Sequence, residues 1–278
     1  METRNFTEKE LNDKTRLKLG LGVVHTESDL FLCGKDLVKC FRYPTKKIMD
    51  RKMYTLRCLD DAREEIEEKI PELVLPNEYA SFNNEVVGFV MDYINGPTLK
   101  ELIVNDNVSF EKKRDALVKV GELLEKLKEV RKSSSDLKGF YVNDLHDDNL
   151  IVTKDGNLRV IDIDSCKIDG NGRMVSFYLL QPYYSKMYSL DKYRSRPGVI
   201  LPNSESDIYC YVMMILKFLT GKNFTSDKEA VFNRSLDKMR SNGLPIELYE
   251  AFRRVYQEEP NINPYKELKK INSKFSLK

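Results

Sequence analysis

The sequence predicts an α+β protein, and three observations carry that prediction. Short apolar runs bounded by turn residues occupy much of the first ninety residues and return at residues 150–163. Two long charged segments, residues 47–70 and 110–132, carry apolar residues at spacings of three and four, the helical period. A length of 278 residues is enough to bury a substantial core, as one large domain or as two lobes.

Composition narrows the class. Hydrophobic residues make up 41% and charged residues 32%, which fits a soluble globular protein. A net charge of +2 gives no electrostatic footprint for bulk nucleic-acid binding. The cysteines stand at 33, 40, 58, 166 and 210, without a CxxC, and this odd, scattered set predicts reduced thiols and a cytoplasmic protein. The first ten residues, METRNFTEKE, are polar and lack the apolar region of a signal peptide. The longest apolar run, residues 209–216, is too short to cross a bilayer, so no membrane partner is expected.

In chain order, residues 17–24 (LKLGLGVV) and 29–41 (DLFLCGKDLVKCF) predict three strands. Gly20 and Gly22 form a GxG within the first of them. Lys39 lies in Leu37-Val38-Lys39-Cys40-Phe41; in a buried strand its ammonium requires an anionic partner, whereas on an edge strand it would point to water. Residues 47–70 read as one helix, with Met53, Leu56, Leu59, Ala62 and Ile66 on its apolar side. Asn83-Asn84 between residues 73–82 and 86–91 is a hairpin signal. The next stretch, residues 90–99 (VMDYINGPTL), passes from a strand through Gly96-Pro97 into a helix. Residues 110–132 form an amphipathic helix on Leu117, Val120, Leu124 and Leu127, ended by Ser133-Ser134-Ser135. Residues 167–206 are irregular and rich in Tyr, Ser, Pro and Gly, with Tyr178, Tyr183, Tyr184, Tyr188 and Tyr193 available to meet a substrate. An apolar helix follows, with Ser204 or Ser206 as a candidate N-cap. Short helices broken at Gly243, Pro245, Pro260 and Pro264 complete the chain.

The stretch with most chemistry is residues 141–165, YVNDLHDDNLIVTKDGNLRVIDIDS. Two short apolar runs flank a Lys154-Asp155-Gly156-Asn157 turn, a hairpin pattern. Folding it brings Asn149 near Asp162, with Asp144 on the loop that leads in.

The spacing D-x4-N-x12-D, from Asp144 through Asn149 to Asp162, resembles the catalytic loop and metal-binding aspartate of the protein kinase-like superfamily. The order of GxG, strand lysine, strand–Gly–Pro linker, D-x4-N, hairpin aspartate and Ser206-Asp207-Ile208-Tyr209 helix is similar to that family over about residues 15–270. The Asp144-Leu145-His146 form is of the atypical, bacterial type and closer to aminoglycoside and choline kinases. The resemblance implies a bilobal protein kinase-like fold: a β-rich N-lobe over residues 1–94 and a mainly helical C-lobe over residues 95–278, with a nucleotide between them.

It implies roles as well. Gly20 and Gly22 would cover the phosphates, and Lys39 would hold them. Met91 would be the gatekeeper, with Asp92 and Ile94 offering backbone groups to adenine. Asn149 and Asp162 would bind Mg²⁺ or Mn²⁺ through hard oxygen donors, as such ions require. Asp144 would accept or orient the substrate hydroxyl, and His146, standing where the family has a lysine, would contact the transferring phosphoryl group. An acid among Asp50, Asp61 and Glu64 would pair with Lys39. Asp207 would brace the catalytic-loop backbone. Asn143 replaces the loop arginine that answers to a phosphorylated activation segment, so activation by that route is not expected. Asp164, where the family has glycine, either adds a metal ligand or faces solvent.

Three functions follow as expectations. The first is an ATP- and Mg²⁺-dependent protein kinase acting on a protein hydroxyl. The second is a small-molecule kinase of the aminoglycoside or choline type. The third is a nucleotide-binding pseudokinase scaffold, which would have no need to keep Lys39, Asp144, Asn149 and Asp162 together.

Overall fold

A computed structural model describes residues 1–12, 14–17, 28–42, 44–142, 144–168, 204–221, 236–256 and 261–273. The chain divides into two units, Met1–Asn95 and Gly96–Lys278. The class is α+β, with the five-stranded mixed sheet in the first unit and a two-stranded sheet in the second.

In the first unit, β1 (Glu2–Phe6), β2 (Ser28–Cys33), β3 (Asp36–Phe41), β4 (Pro76–Phe82) and β5 (Glu85–Asp92) lie in the order β1-β4-β5-β3-β2. All neighbours are antiparallel except β1 and β4. Asn83 (φ 52°) and Asn84 (φ 64°) make the β4–β5 turn, both in the left-handed conformation that a tight hairpin requires. Gly34, at φ 68°, does the same between β2 and β3. One face of the sheet buries Phe6, Val38, Ala80 and Val90 together.

Strand β1 departs from the sequence expectation, which placed no strand before residue 17. It is five residues long and mostly exposed, so it carries no apolar alternation to read. Its anchors are Phe6, at 4% exposure, and Arg4, which donates to Glu78 at 2.6 and 2.7 Å and to Asp36 at 2.8 Å. Of the strand expected at residues 17–24, the described portion runs beside β2: Leu17 N donates to Leu30 O at 2.8 Å. Residues 18–27, including Gly20 and Gly22, lie outside the described residues.

The single helix expected over residues 47–70 is two helices, α1 (Lys46–Asp61) and α2 (Arg63–Lys69), broken at Ala62 (φ −96°, ψ 9°). Asp60 and Asp61 put two carboxylates in the last turn of α1, which has no basic residue there, and so oppose its dipole. Glu64 and Glu65 suit the first turn of α2. The apolar period survives the break: Leu56, Leu59, Ala62 and Ile66 are all buried.

In the second unit, α3 (Leu99–Val104) starts with a capping box, in which Thr98 Oγ accepts from Glu101 N and Glu101 Oε2 accepts from Thr98 N. Then α4 (Phe110–Ser133), capped by Ser109, buries Leu117, Val120, Leu124 and Leu127. Strands β6 (Leu150–Val152) and β7 (Leu158–Val160) form the hairpin, followed by a 3₁₀ turn at Ile163–Ser165. Helix α5 (Ser204–Thr220) is buried along Tyr209–Leu216 and stacks Phe218 on Phe110 of α4, with ring centroids 4.8 Å apart. Because α5 begins at Ser204, Ser206 sits inside the helix and is not its cap. Helices α6 (Ile246–Tyr256) and α7 (Tyr265–Leu268) follow. Gly121 lets α4 approach α5 and α7: a Cβ there would collide with Tyr265 Cβ and lie 2.6 Å from the Tyr211 hydroxyl. No disulfide links any of the five cysteines. Among the described residues, no helix is long and apolar enough to cross a membrane.

Candidate functional site

The loop at 141–149 is built by alternation. Phe140 (1%), Val142 (2%), Leu145 (0%) and Asp147 (2%) point into the second unit, which leaves Asp144 and His146 only partly covered. Tyr141 and Lys167 close the loop base with two backbone bonds of 2.9 Å. The N–H of Val142 donates to Asp207 Oδ2 of α5 at 3.3 Å, and Asp207 is 2% exposed. A buried carboxylate therefore anchors the loop backbone from a helix 65 residues further on.

Within the loop, Asn149 Nδ2 donates to Asp144 O at 3.0 Å and to Asp144 Oδ2 at 3.4 Å. Its nitrogen is thereby committed to Asp144, and Oδ1 is the amide atom turned the other way. His146 Nε2 lies 3.7 Å from Asp144 Oδ1. Burial alone would pull the His146 imidazole down, but the Asp144 carboxylate, with Asp148 and Asp147 adding to its field, raises it above its ordinary value. Asp148 N donates to His146 Nδ1 at 3.3 Å, a long contact that works against the charged form.

The hairpin carries the chain to Asp162. Ile161 N donates to Asn149 O at 2.9 Å, so the residue just before Asp162 is tied to the backbone of Asn149. Asp162 itself is left-handed, at φ 61° and ψ 45°, and leads the 3₁₀ turn. That conformation is uncommon for a side chain with a Cβ, and Asp is among the residues that tolerate it. Asp164 is 3% exposed, which removes the alternative that its carboxylate faces solvent. Asn143 and the tyrosines at 178, 183, 184, 188 and 193 lie outside the described residues.

In the first unit, Lys39 is 4% exposed on β3, between β2 and β5, with Leu30 and Phe89 as cross-strand neighbours. The alternative of an edge-strand lysine in water is therefore wrong. Its Nζ lies 5.6 Å from the Phe89 ring centroid. Asp50, Asp61 and Glu64 are exposed, a poor match to a buried ammonium. Met91 is 3% exposed at the end of β5 opposite Leu37. Asp92 is exposed and accepts from Asn77 Nδ2 at 3.0 Å, and Ile94 lies just past the strand, partly covered.

Sequence reasoning missed two ion pairs that hold the loop. Lys217 of α5 donates to Asp147 Oδ2, and Lys100 of α3 donates to Asp148 Oδ2 at 2.9 Å. A signal existed for the first: Lys217 is the lone charge in the apolar run of residues 208–219, and a charge inside such a helix calls for a counter-charge. Ligand-type atoms of His146, Asp147 and Asp148 lie within 4.8 Å of one another, but the two lysines already neutralise those carboxylates.

Compared with models of known protein families and with curated proteins, the chain matches none.

Proposed function

We propose that this protein is an ATP-dependent phosphotransferase that passes a γ-phosphoryl group to a hydroxyl, with an atypical protein kinase as the leading form. The observation that carries the reading is the loop in which Asn149 Nδ2 grips Asp144 while Asp207 holds the Val142 N–H. That arrangement holds the Asp144 carboxylate against the Asn149 amide and ties the loop backbone to a buried carboxylate. Phosphoryl transfer is chiefly positioning and charge stabilisation, and it requires such fixed groups.

On this reading Asp144 takes up or orients the acceptor hydroxyl. Asn149 Oδ1 and Asp162 hold Mg²⁺ or Mn²⁺, which supplies charge neutralisation at the phosphates. Lys39, buried in the sheet, supplies a cation for the α- and β-phosphates, and Met91, Asp92 and Ile94 line the base position. His146 beside Asp144 favours a second reading, a small-molecule kinase, because D-L-H-x-x-N is the form such enzymes use.

The test is incubation with γ-labelled ATP and Mg²⁺ or Mn²⁺, with and without a metabolite pool, beside an Asp144→Asn variant. Autophosphorylation supports the protein kinase, and turnover only with the pool supports the small-molecule kinase. Nucleotide-induced thermal stabilisation without turnover would instead make the protein a scaffold. An Asp144→Asn protein as active as its parent would contradict the assignment.

A further inference from the structure

The structure carries one feature that the spacing D-x4-N does not require. Asp147, between Asp144 and Asn149, is an acid at 2% exposure, and its partner Lys217 comes from the last turns of α5. The same helix supplies Asp207, which holds Val142. From Asp207 to Lys217 is ten residues, a rise of about 15 Å. From Val142 to Asp147 is five residues, which reach about 17 Å at most. The loop is thus pinned to α5 near both of its ends, with a turn closed by Asp144 N→Val142 O (2.8 Å) and the Asp144 side chain between the pins. A third pin comes from α3: Lys100 N donates to Asp147 O at 3.1 Å while its Nζ holds Asp148.

We propose that Lys217 and Asp147 are positioning residues: their buried ion pair, together with Asp207, pins the 142–147 loop to α5 at two points and so fixes Asp144 and Asn149 for the reaction. The effect on catalysis rests on the phosphotransferase reading; the clamp itself does not. A neutral pair would fill the same space, so the charges are kept for what they hold. Removing one member of a buried ion pair is costly, whereas replacing both by apolar side chains of similar volume is tolerated by folded proteins. The pair can therefore be tested without destroying the fold.

The experiment compares the full chain with Lys217→Met, with the double variant Asp147→Leu/Lys217→Met, and with Lys217→Arg. Amide hydrogen exchange is read without nucleotide, and steady-state rates are read with MgATP. In the double variant, exchange at residues 142–149 should rise at least about tenfold while amides of α4 stay protected. Its kcat should fall about 100-fold, the scale expected for a displacement of about 1 Å, with KM for MgATP held within twofold. Lys217→Arg, which keeps the charge, should restore both readouts. Unchanged exchange at 142–149 in a folded double variant overturns the clamp. A parent protein with no phosphoryl transfer overturns the phosphotransferase reading, and the exchange data still decide the clamp by themselves.

Discussion

The carboxylate of Asp207 and the backbone N–H of Val142 are joined at 3.3 Å across 65 residues of sequence. Both residues are 2% exposed, so neither group can turn to water if the other is lost. Asp207→Ala should therefore strand a buried N–H and destabilise the protein by about 2–3 kcal/mol, the range for a hydrogen bond to a charged group plus the unmet donor. Urea unfolding of the variant measures it. A change under about 0.5 kcal/mol would mean that Val142 has another acceptor within reach.

Gly96 makes a second close approach. A Cβ at this position would collide with the carbonyl oxygen of Val152 and lie 3.0 Å from Ile151 Cγ2. The contact is to backbone of β6, which Val152 N→Pro97 O (3.0 Å) fixes in place, so it cannot swing aside. Gly96→Ala should destabilise by about 1–3 kcal/mol, as overpacking does, although alanine lowers the entropy of the unfolded chain. Thermal unfolding should show the loss, and a stabilised variant would refute the close packing.

His146 should titrate above the usual imidazole value of about 6.5, because Asp144 offsets the effect of burial. The sign for stability follows from linkage. A pKa raised in the folded state favours folding at pH below the unfolded value, and that contribution disappears as pH rises through the folded value. The chain has two histidines, so NMR titration of the protein and of a His25→Gln variant assigns His146. Asp144→Asn should lower its pKa and flatten the pH dependence of stability above pH 6.5. A His146 resonance that titrates below the usual range would show burial winning over Asp144.

Much of this architecture was legible because turns and periods are written locally. Asn83-Asn84 and the 154–157 turn marked their hairpins, and the stripe of Leu117, Val120, Leu124 and Leu127 marked α4. What escaped depends on contacts that spacing does not encode. Strand β1 forms because β4 and Glu78 receive it, and its own five residues give no sign of that. The burial of Asp147 against Lys217 of α5, and that of Asp164, is set by tertiary packing, and in a D-rich stretch an inward acid looks like an outward one. The left-handed turn at Asp162 is likewise invisible in sequence, since Asp adopts ordinary extended backbone far more often.

That turn gives the last prediction. At φ 61° Asp162 occupies a region that disfavours a Cβ, and glycine enters it freely. Asp162→Ala and Asp162→Gly both remove the carboxylate, so their difference isolates the backbone. Glycine is ordinarily the less stable of the two by about 0.5–1 kcal/mol within regular elements. Here the order should reverse, with Asp162→Gly more stable than Asp162→Ala by about 1 kcal/mol, read from paired urea curves. If Asp162 also holds the metal, both variants should lose Mg²⁺-dependent activity equally, so that stability and activity separate at one residue. Backbone strain kept at a position where glycine would relieve it points to a side chain retained for what its carboxylate does. Equal stability of the two variants would remove that argument.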